Sequence, residues 1–289
     1  MSSIIPVNRA CNLHCLYCSS FYEEPPSKKS IIKQILNERD QIVFTGGEPL
    51  LCKDLLRYIN LAKKQGVDEI EVQSNGTLFS YRAVAEKLVN AGVDIFNIAL
   101  PSHKEEICDQ ITQTKGLFEK RIIGIKNLLE LNANVRITLV ICTLNQKYLY
   151  EYARFVHKNF PSIKILEFNT VKLRGRCLEN KWLVPNLNDL DKELYKAMAY
   201  CDKEKINLLV DGVPLCHMNG FEKYSVDLKK IINGNVSRLH DEKEKTSKCN
   251  KCSLCEFCLG LRKGYLEIWG DKQVSPSSKN PEKIKSLFA

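Results

Sequence analysis

Apolar positions along the first two-thirds of the chain follow two alternating rhythms. Short apolar runs at Ser3 to Val7, Gln41 to Thr45, Glu69 to Gln73, Asp94 to Leu100, Asn134 to Cys142 and Ile163 to Phe168 read as strands. Between them lie longer segments with helical spacing, as in Ile31, Ile32, Ile35 and Leu36 of Lys29 to Glu38. Asp54 to Gln65, Phe79 to Ala91, Leu117 to Leu131 and Tyr148 to Lys158 continue the pattern, two of them stopped by Gly66 and Gly92. Helices alternating with short apolar runs predict repeated βα units. The expected fold class is α/β: a partial (β/α)6 TIM-like barrel over residues 1–180. In such a sheet the C-terminal ends of the strands carry the site.

The pattern changes after Arg176. Asn186 to Lys203 reads as a helix, so residues 181–206 are expected to form a helical linker. Residues 207–289 are expected to form a small cysteine-rich α+β domain. It would open with a strand at Asn207 to Asp211 and carry a late strand at Gly264 to Gly270, with a short closing helix over residues 280 to 288.

Composition narrows the classes. With 289 residues, 44% hydrophobic and 27% charged, the chain is long enough for a large domain plus a small one. No run of about 18 apolar residues could span a bilayer. The N-terminus MSSIIPVNRACN lacks a basic flank and apolar signal core. A cytoplasmic location is expected, with no membrane partner. The formal charge of +9 is dispersed in short groups such as Lys63-Lys64 and Lys229-Lys230, a solvated surface rather than a nucleic-acid footprint. Thirteen cysteines are many for a reducing compartment, and eight are clustered, which points to metal.

The first cluster is Arg9-Ala-Cys-Asn-Leu-His-Cys-Leu-Tyr-Cys18, directly after the first strand. Cys11, Cys15 and Cys18 sit on a loop, where three sulfurs can converge. A cubane iron–sulfur cluster offers four irons, so three cysteines leave one iron open. Zinc completed by His14 or a distant residue is the alternative. Thr45-Gly-Gly-Glu-Pro49 follows the second strand and Gln73-Ser-Asn-Gly76 the third. Glycines let a backbone approach a ligand, and a carboxylate suits an ammonium group.

With its aromatic Tyr17 before the third cysteine, C-x3-C-x2-C followed by Gly46-Gly47-Glu48-Pro49 resembles the radical S-adenosylmethionine (SAM) superfamily. The resemblance covers about the first 170 residues in element order. It implies a 4Fe–4S cluster on Cys11, Cys15 and Cys18 whose open iron binds SAM. Tyr17, Gly46, Gly47, Glu48, Pro49, Ser74, Asn75 and Ser102 would line the SAM site. It also implies reductive cleavage of SAM to a 5′-deoxyadenosyl radical that abstracts a substrate hydrogen, fed by an electron donor such as flavodoxin or ferredoxin. Many relatives place an arginine after the segment holding Ser102 to bind the SAM carboxylate. Cys108-Asp-Gln-Ile-Thr112 has none, so another group must do so. His103, after the fourth strand, is a weak catalytic candidate.

The second cluster, Cys249-x2-Cys252-x5-Cys258 with Cys216 upstream, resembles part of the SPASM pattern and its shortened twitch relative. It implies an auxiliary 4Fe–4S cluster on Cys216, Cys249, Cys252 and Cys258, with Cys255 as an alternate ligand. A zinc knuckle is the plain alternative. Four available cysteines suggest full protein ligation and an electron-moving role. That weighs against the pterin enzyme of molybdenum-cofactor synthesis, whose auxiliary cluster uses three cysteines and whose chain ends in Gly-Gly rather than Ser-Leu-Phe-Ala289. The remaining cysteines, Cys52, Cys108, Cys142, Cys177 and Cys201, are scattered, and buried small hydrophobes are the default for such positions. Cys177, beside Arg174 and Arg176, is a second weak catalytic candidate.

The SPASM-like ending implies a ribosomal peptide or protein side chain as substrate. Because the first strand begins at residue 3, leader recognition is expected to fall to a separate protein. A small molecule or nucleotide is the alternative substrate, and a zinc-binding interaction protein the alternative of another class. The bond formed and the oligomeric state are not legible in the sequence.

Overall fold

The computed structural model describes residues 2–21, 24–234 and 242–288. Its centre is a single all-parallel sheet whose strands follow one another in chain order. The strands are β1 (Ser2–Asn8), β2 (Gln41–Gly46), β3 (Glu69–Ser74), β4 (Ile95–Ala99), β5 (Val135–Ile141), β6 (Ile165–Thr170) and β7 (Leu208–Asp211). Parallel neighbours need crossovers, and helices supply them. These are α1 (Lys28–Asn37), α2 (Leu55–Gln65), α3 (Arg82–Asn90), α4 (Glu105–Thr112), α5 (Phe118–Glu130), α6 (Leu149–Asn159) and α7 (Leu187–Lys203).

The sheet carries seven strands where the apolar rhythm gave six. The extra one, β7, is the strand expected to open the C-terminal segment. It is hydrogen-bonded to β6, with Phe168 facing Val210 and Asn169 facing Asp211. Its sequence looks the same whichever sheet it joins, because partner choice is a long-range property.

Alternation along the strands separates two environments. Outward residues such as Ile70, Val72, Phe96, Ile98, Ile137, Leu139, Leu166 and Phe168 are buried against the helices. Inward residues are mostly polar: Gln73, Asn97, Arg136, Thr138, Glu167, Asn169 and Asp211 line one cavity, with Ala99 and Val140 among them. The helices take part through their apolar stripes, for example Leu55, Tyr58, Ile59 and Ala62 on α2.

Beyond β7 the chain forms α8 (Val226–Ile232), the two-stranded antiparallel pair β8 (Lys243–Glu244) and β9 (Leu261–Arg262), α9 (Lys263–Trp269) and α10 (Pro281–Lys285). Residues 264–269, expected as a late strand, are helical. Tyr265 is buried and Leu266 and Ile268 are partly buried against the core, so spacing along a helix rather than alternation sets the contacts. Gly270 ends the helix at φ 62°.

Candidate functional site

The loop carrying Cys11, Cys15 and Cys18 is clamped by its neighbours' backbone. From the β2 loop, Gly47 N–H donates to Asn8 O (2.9 Å) and Glu48 N–H to Ala10 O (2.7 Å). A Cβ on Gly47 would lie 2.3 Å from Ala10 O, so only glycine permits this approach. From the other side, His14 N–H donates to Thr112 O and Leu16 N–H to Ile111 O, each at 2.9 Å, at the end of α4. After β6, Arg176 N–H donates to Cys18 O (2.9 Å).

Glu48 is 1% exposed. Its Oε1 accepts from Ser74 Oγ–H (2.8 Å) and Leu50 N–H (3.1 Å), and its Oε2 from Asn75 N–H (2.8 Å). Burial pushes the carboxyl up, and these donors together with the Arg121 charge oppose it. Asn75 in turn donates from Nδ2 to Asn12 Oδ1 (2.8 Å) and lies 4.0 Å from Cys11 Sγ. The carboxylate therefore organises the loops after β2 and β3, while Gly46, Gly47, Ser74 and Asn75 present the surface that lines the cavity.

That cavity has a volume of about 440 Å³ and opens at the C-terminal end of the sheet. Cys11, Cys15, Tyr17 and Cys18 form one wall and the polar strand interior the floor. Arg136 Nη1 stands 3.7 Å from Glu71 and 3.6 Å from Glu167, and Asn97 Nδ2 donates to Glu71 (2.9 Å). These interior residues were not singled out as site residues from the sequence. The signal was present, because β3 and β5 alternate polar and apolar positions (E-I-E-V-Q-S, V-R-I-T-L-V) and β6 does so over L-E-F-N.

Both weak catalytic candidates lie outside the cavity lining. His103 packs among Tyr148, Tyr152 and Phe155 with Nε2 3.5 Å from Glu151, on the helix side of the sheet. Cys177 is fully buried, its thiol donates to Asn180 O (3.9 Å), and burial pushes it up to about 11. Ser102 is buried beside α4, accepting from Lys104 N–H (3.0 Å), and Pro49 starts a buried turn behind Gly47. Neither lines the cavity.

The C-terminal cysteines Cys216, Cys249, Cys252, Cys255 and Cys258 line a second cavity. Ser277 N–H donates to Cys252 Sγ and Gly260 N–H to Cys258 Sγ, both at 3.3 Å. The Ser275 backbone bonds Cys216, and Thr246 Oγ1 lies 3.9 Å from Cys249 Sγ. Gly260, at φ 88°, has no room for a Cβ, which would meet Glu244 O at 2.1 Å; this contact turns its N–H onto the sulfur.

Both donor sets suit an iron–sulfur cluster. In the first, burial and the charges of Cys18 and Cys11 push Cys15 up to about 12, so three thiolates coexist there only around a cationic centre. In the second, donors aimed at sulfur are the kind of environment that tunes a cluster.

Known proteins resemble this chain in sequence and in fold. A family profile described as the Radical SAM superfamily matches residues 5–156. The chain is 29% identical over 285 residues to a protein named probable GTP 3′,8-cyclase of Sulfolobus acidocaldarius, covering 83% of this chain and 87% of that one. It is 32% identical over 153 residues to a protein of the same name from Methanocella arvoryzae, covering 50% of this chain and 47% of the relative, so it spans about half that relative's length. Among solved structures, anSMEcpe with bound AdoMet and a peptide superposes with a TM-score of 0.68 at 13% identity, over 99% of this chain and 95% of that one. SuiB of Streptococcus suis gives 0.58 at 16%, over 73% and 49%. At these identities the structural likeness is one of fold.

Proposed function

The chain belongs to the radical SAM superfamily, and on that premise we propose that it oxidises or cross-links a peptide or protein side chain. Cys11, Cys15 and Cys18 hold the SAM-binding 4Fe–4S cluster, and Gly46, Gly47, Ser74 and Asn75 receive SAM in the cavity beside it. When bound, the cluster and SAM supply hydrogen-atom abstraction. The chain's own residues do the rest: the Glu48 carboxylate holds two loops in register, and the strand interior offers Gln73, Asn97, Thr138 and Asn169 as hydrogen-bonding partners. Residues 1–180 are assigned to the SAM core and residues 207–289 to the auxiliary-cluster segment, with the strand in the latter completing the sheet. In that segment Cys216, Cys249, Cys252 and Cys258 ligate the auxiliary cluster and Cys255 does not, since among the described residues each of those four sulfurs has a hydrogen-bonding neighbour and Cys255 has none.

One observation carries the substrate class. The two cations that line the cavity stand beside carboxylates, Lys172 with Glu242 (2.7 Å) and Arg136 with Glu71 (3.7 Å) and Glu167 (3.6 Å), and Asp211 of the lining is held by the buried Lys243 (2.7 Å) and Arg262 (2.6 Å) behind it. A nucleoside triphosphate brings several negative charges and would have to displace these carboxylates. A neutral peptide segment would not. The nucleotide reading draws on the printed names of the curated relatives, one matched over 83% of the chain.

The deciding experiment incubates anaerobically reconstituted, dithionite-reduced protein with SAM and either GTP or a panel of synthetic peptides. Release of 5′-deoxyadenosine coupled to a mass change in a peptide supports the proposal. Coupled consumption of GTP with every peptide untouched would replace it with the nucleotide reading.

A further inference from the structure

Arg121, on the first turns of α5, is 1% exposed and among the largest fully buried side chains. Its Nε–H donates to Asn75 O at 2.8 Å and its Nη1 to Cys108 Sγ at 3.4 Å. Its Nη2 is buried without a partner. None of the ion pairs among the described residues includes it. A buried guanidinium lacking a carboxylate is costly, because burial removes its hydration and nothing adjacent restores the charge balance.

Its surroundings show what restores that balance. Asn75 is held through both of its backbone polar groups: its N–H donates to Glu48 Oε2 and its carbonyl accepts from Arg121. The same residue reaches Asn12 and approaches Cys11 through its side chain. Cys108, the other partner, lies one turn before Thr112 on α4, and Thr112 O and Ile111 O hold the N–H groups on either side of Cys15. Arg121 thus sits behind the cysteine loop, bonded to both elements that fix it. Its buried guanidinium, with Nη2 unpartnered, is the positive charge standing behind that loop. Three thiolates around a cluster make an anionic assembly, more so when reduced.

We propose that Arg121 is a positioning residue for the SAM-binding cluster, anchoring Asn75 against the cysteine loop and supplying the buried positive charge that favours the cluster's reduced state. This rests on the cluster assignment above. The α4 segment at residues 108–112 has no arginine of its own, and Arg121 delivers one to it from the next helix.

The test compares anaerobically reconstituted wild type, Arg121→Gln and Arg121→Lys. Two quantities are measured: the midpoint potential of the EPR signal that shifts on adding SAM, and the SAM dissociation constant. In Arg121→Gln the reduction equilibrium should weaken about tenfold, close to 59 mV for a one-electron couple, toward more negative potential. Arg121→Lys keeps the charge but loses the forked contacts, so its potential should stay near wild type while SAM binds about tenfold more weakly. A potential in Arg121→Gln equal to wild type overturns the charge role. If that variant loads no cluster, Arg121→Lys alone decides, and unchanged SAM affinity there overturns the anchoring role. Wild-type protein that binds no SAM-responsive cluster would instead sink the assignment on which the proposal rests.

Discussion

Arg262 Nη2 donates to Asp211 Oδ2 across 2.6 Å, joining β9 to the end of β7. Arg262 lies four residues after Cys258, which lines the second cavity, and Asp211 lines the central one, so this contact ties the segment after the second cysteine cluster to the wall of the first cavity. Lys243, 1% exposed through its side chain, extends the link by bridging Asp211 and Asp227. Arg262 also donates from Nε to Thr170 Oγ1 (3.1 Å) on β6.

Removing one member strands the other charges in a dry environment. Arg262→Leu should lower stability by about 3–5 kcal/mol, the range for breaking a buried pair. Urea unfolding of the protein checks this. Iron bound by the C-terminal cysteines should fall with it, since Lys263 N–H and Glu242 O pair across the same strand.

The same network sets an acid limit. Burial works to raise the Asp211 carboxyl, but Arg262 and Lys243 outweigh it and hold the group well below the usual range. A carboxyl depressed on folding contributes stability above its unfolded pKa and loses it as pH falls through the folded value. Wild type should therefore lose stability as pH drops below about 4, the ordinary Asp range. Asp211→Asn should be less stable at pH 7 and show a shallower acid slope, read by thermal unfolding at successive pH values.

Iron analysis separates the cysteines. Two 4Fe–4S clusters correspond to about eight irons per chain. Cys15→Ala should retain about four and release no 5′-deoxyadenosine from SAM. Cys252→Ala should also retain about four, yet still cleave SAM while forming no product. Cys255→Ala should keep the full complement, because no donor is aimed at its sulfur among the described residues; a loss of four irons there would make it a ligand.

Glu48→Gln keeps shape but offers one acceptor oxygen where three donors converge from Ser74, Leu50 and Asn75. The loop after β3 should loosen, and SAM should bind at least about tenfold more weakly, near 1.4 kcal/mol. Calorimetric titration of the cluster-loaded protein measures it. Gly47→Ala should be more severe, since its Cβ would strike Ala10 O.

The sequence by itself determined whatever depends on neighbours along the chain. The βα rhythm, the cysteine loop after the first strand and Gly46-Gly47-Glu48-Pro49 after the second are local patterns, and each lies on the element it predicts. The tertiary structure decided what depends on partners far away. It paired Leu208–Asp211 with β6, turned residues 264–269 into a helix, and moved His103 and Cys177 out of the cavity. It also turned the polar face of the strands inward and brought Arg121 from the next helix to stand behind Asn75. Periodicity shows which residues share a face, but the partner that face meets is fixed only when distant segments pack and exclude water.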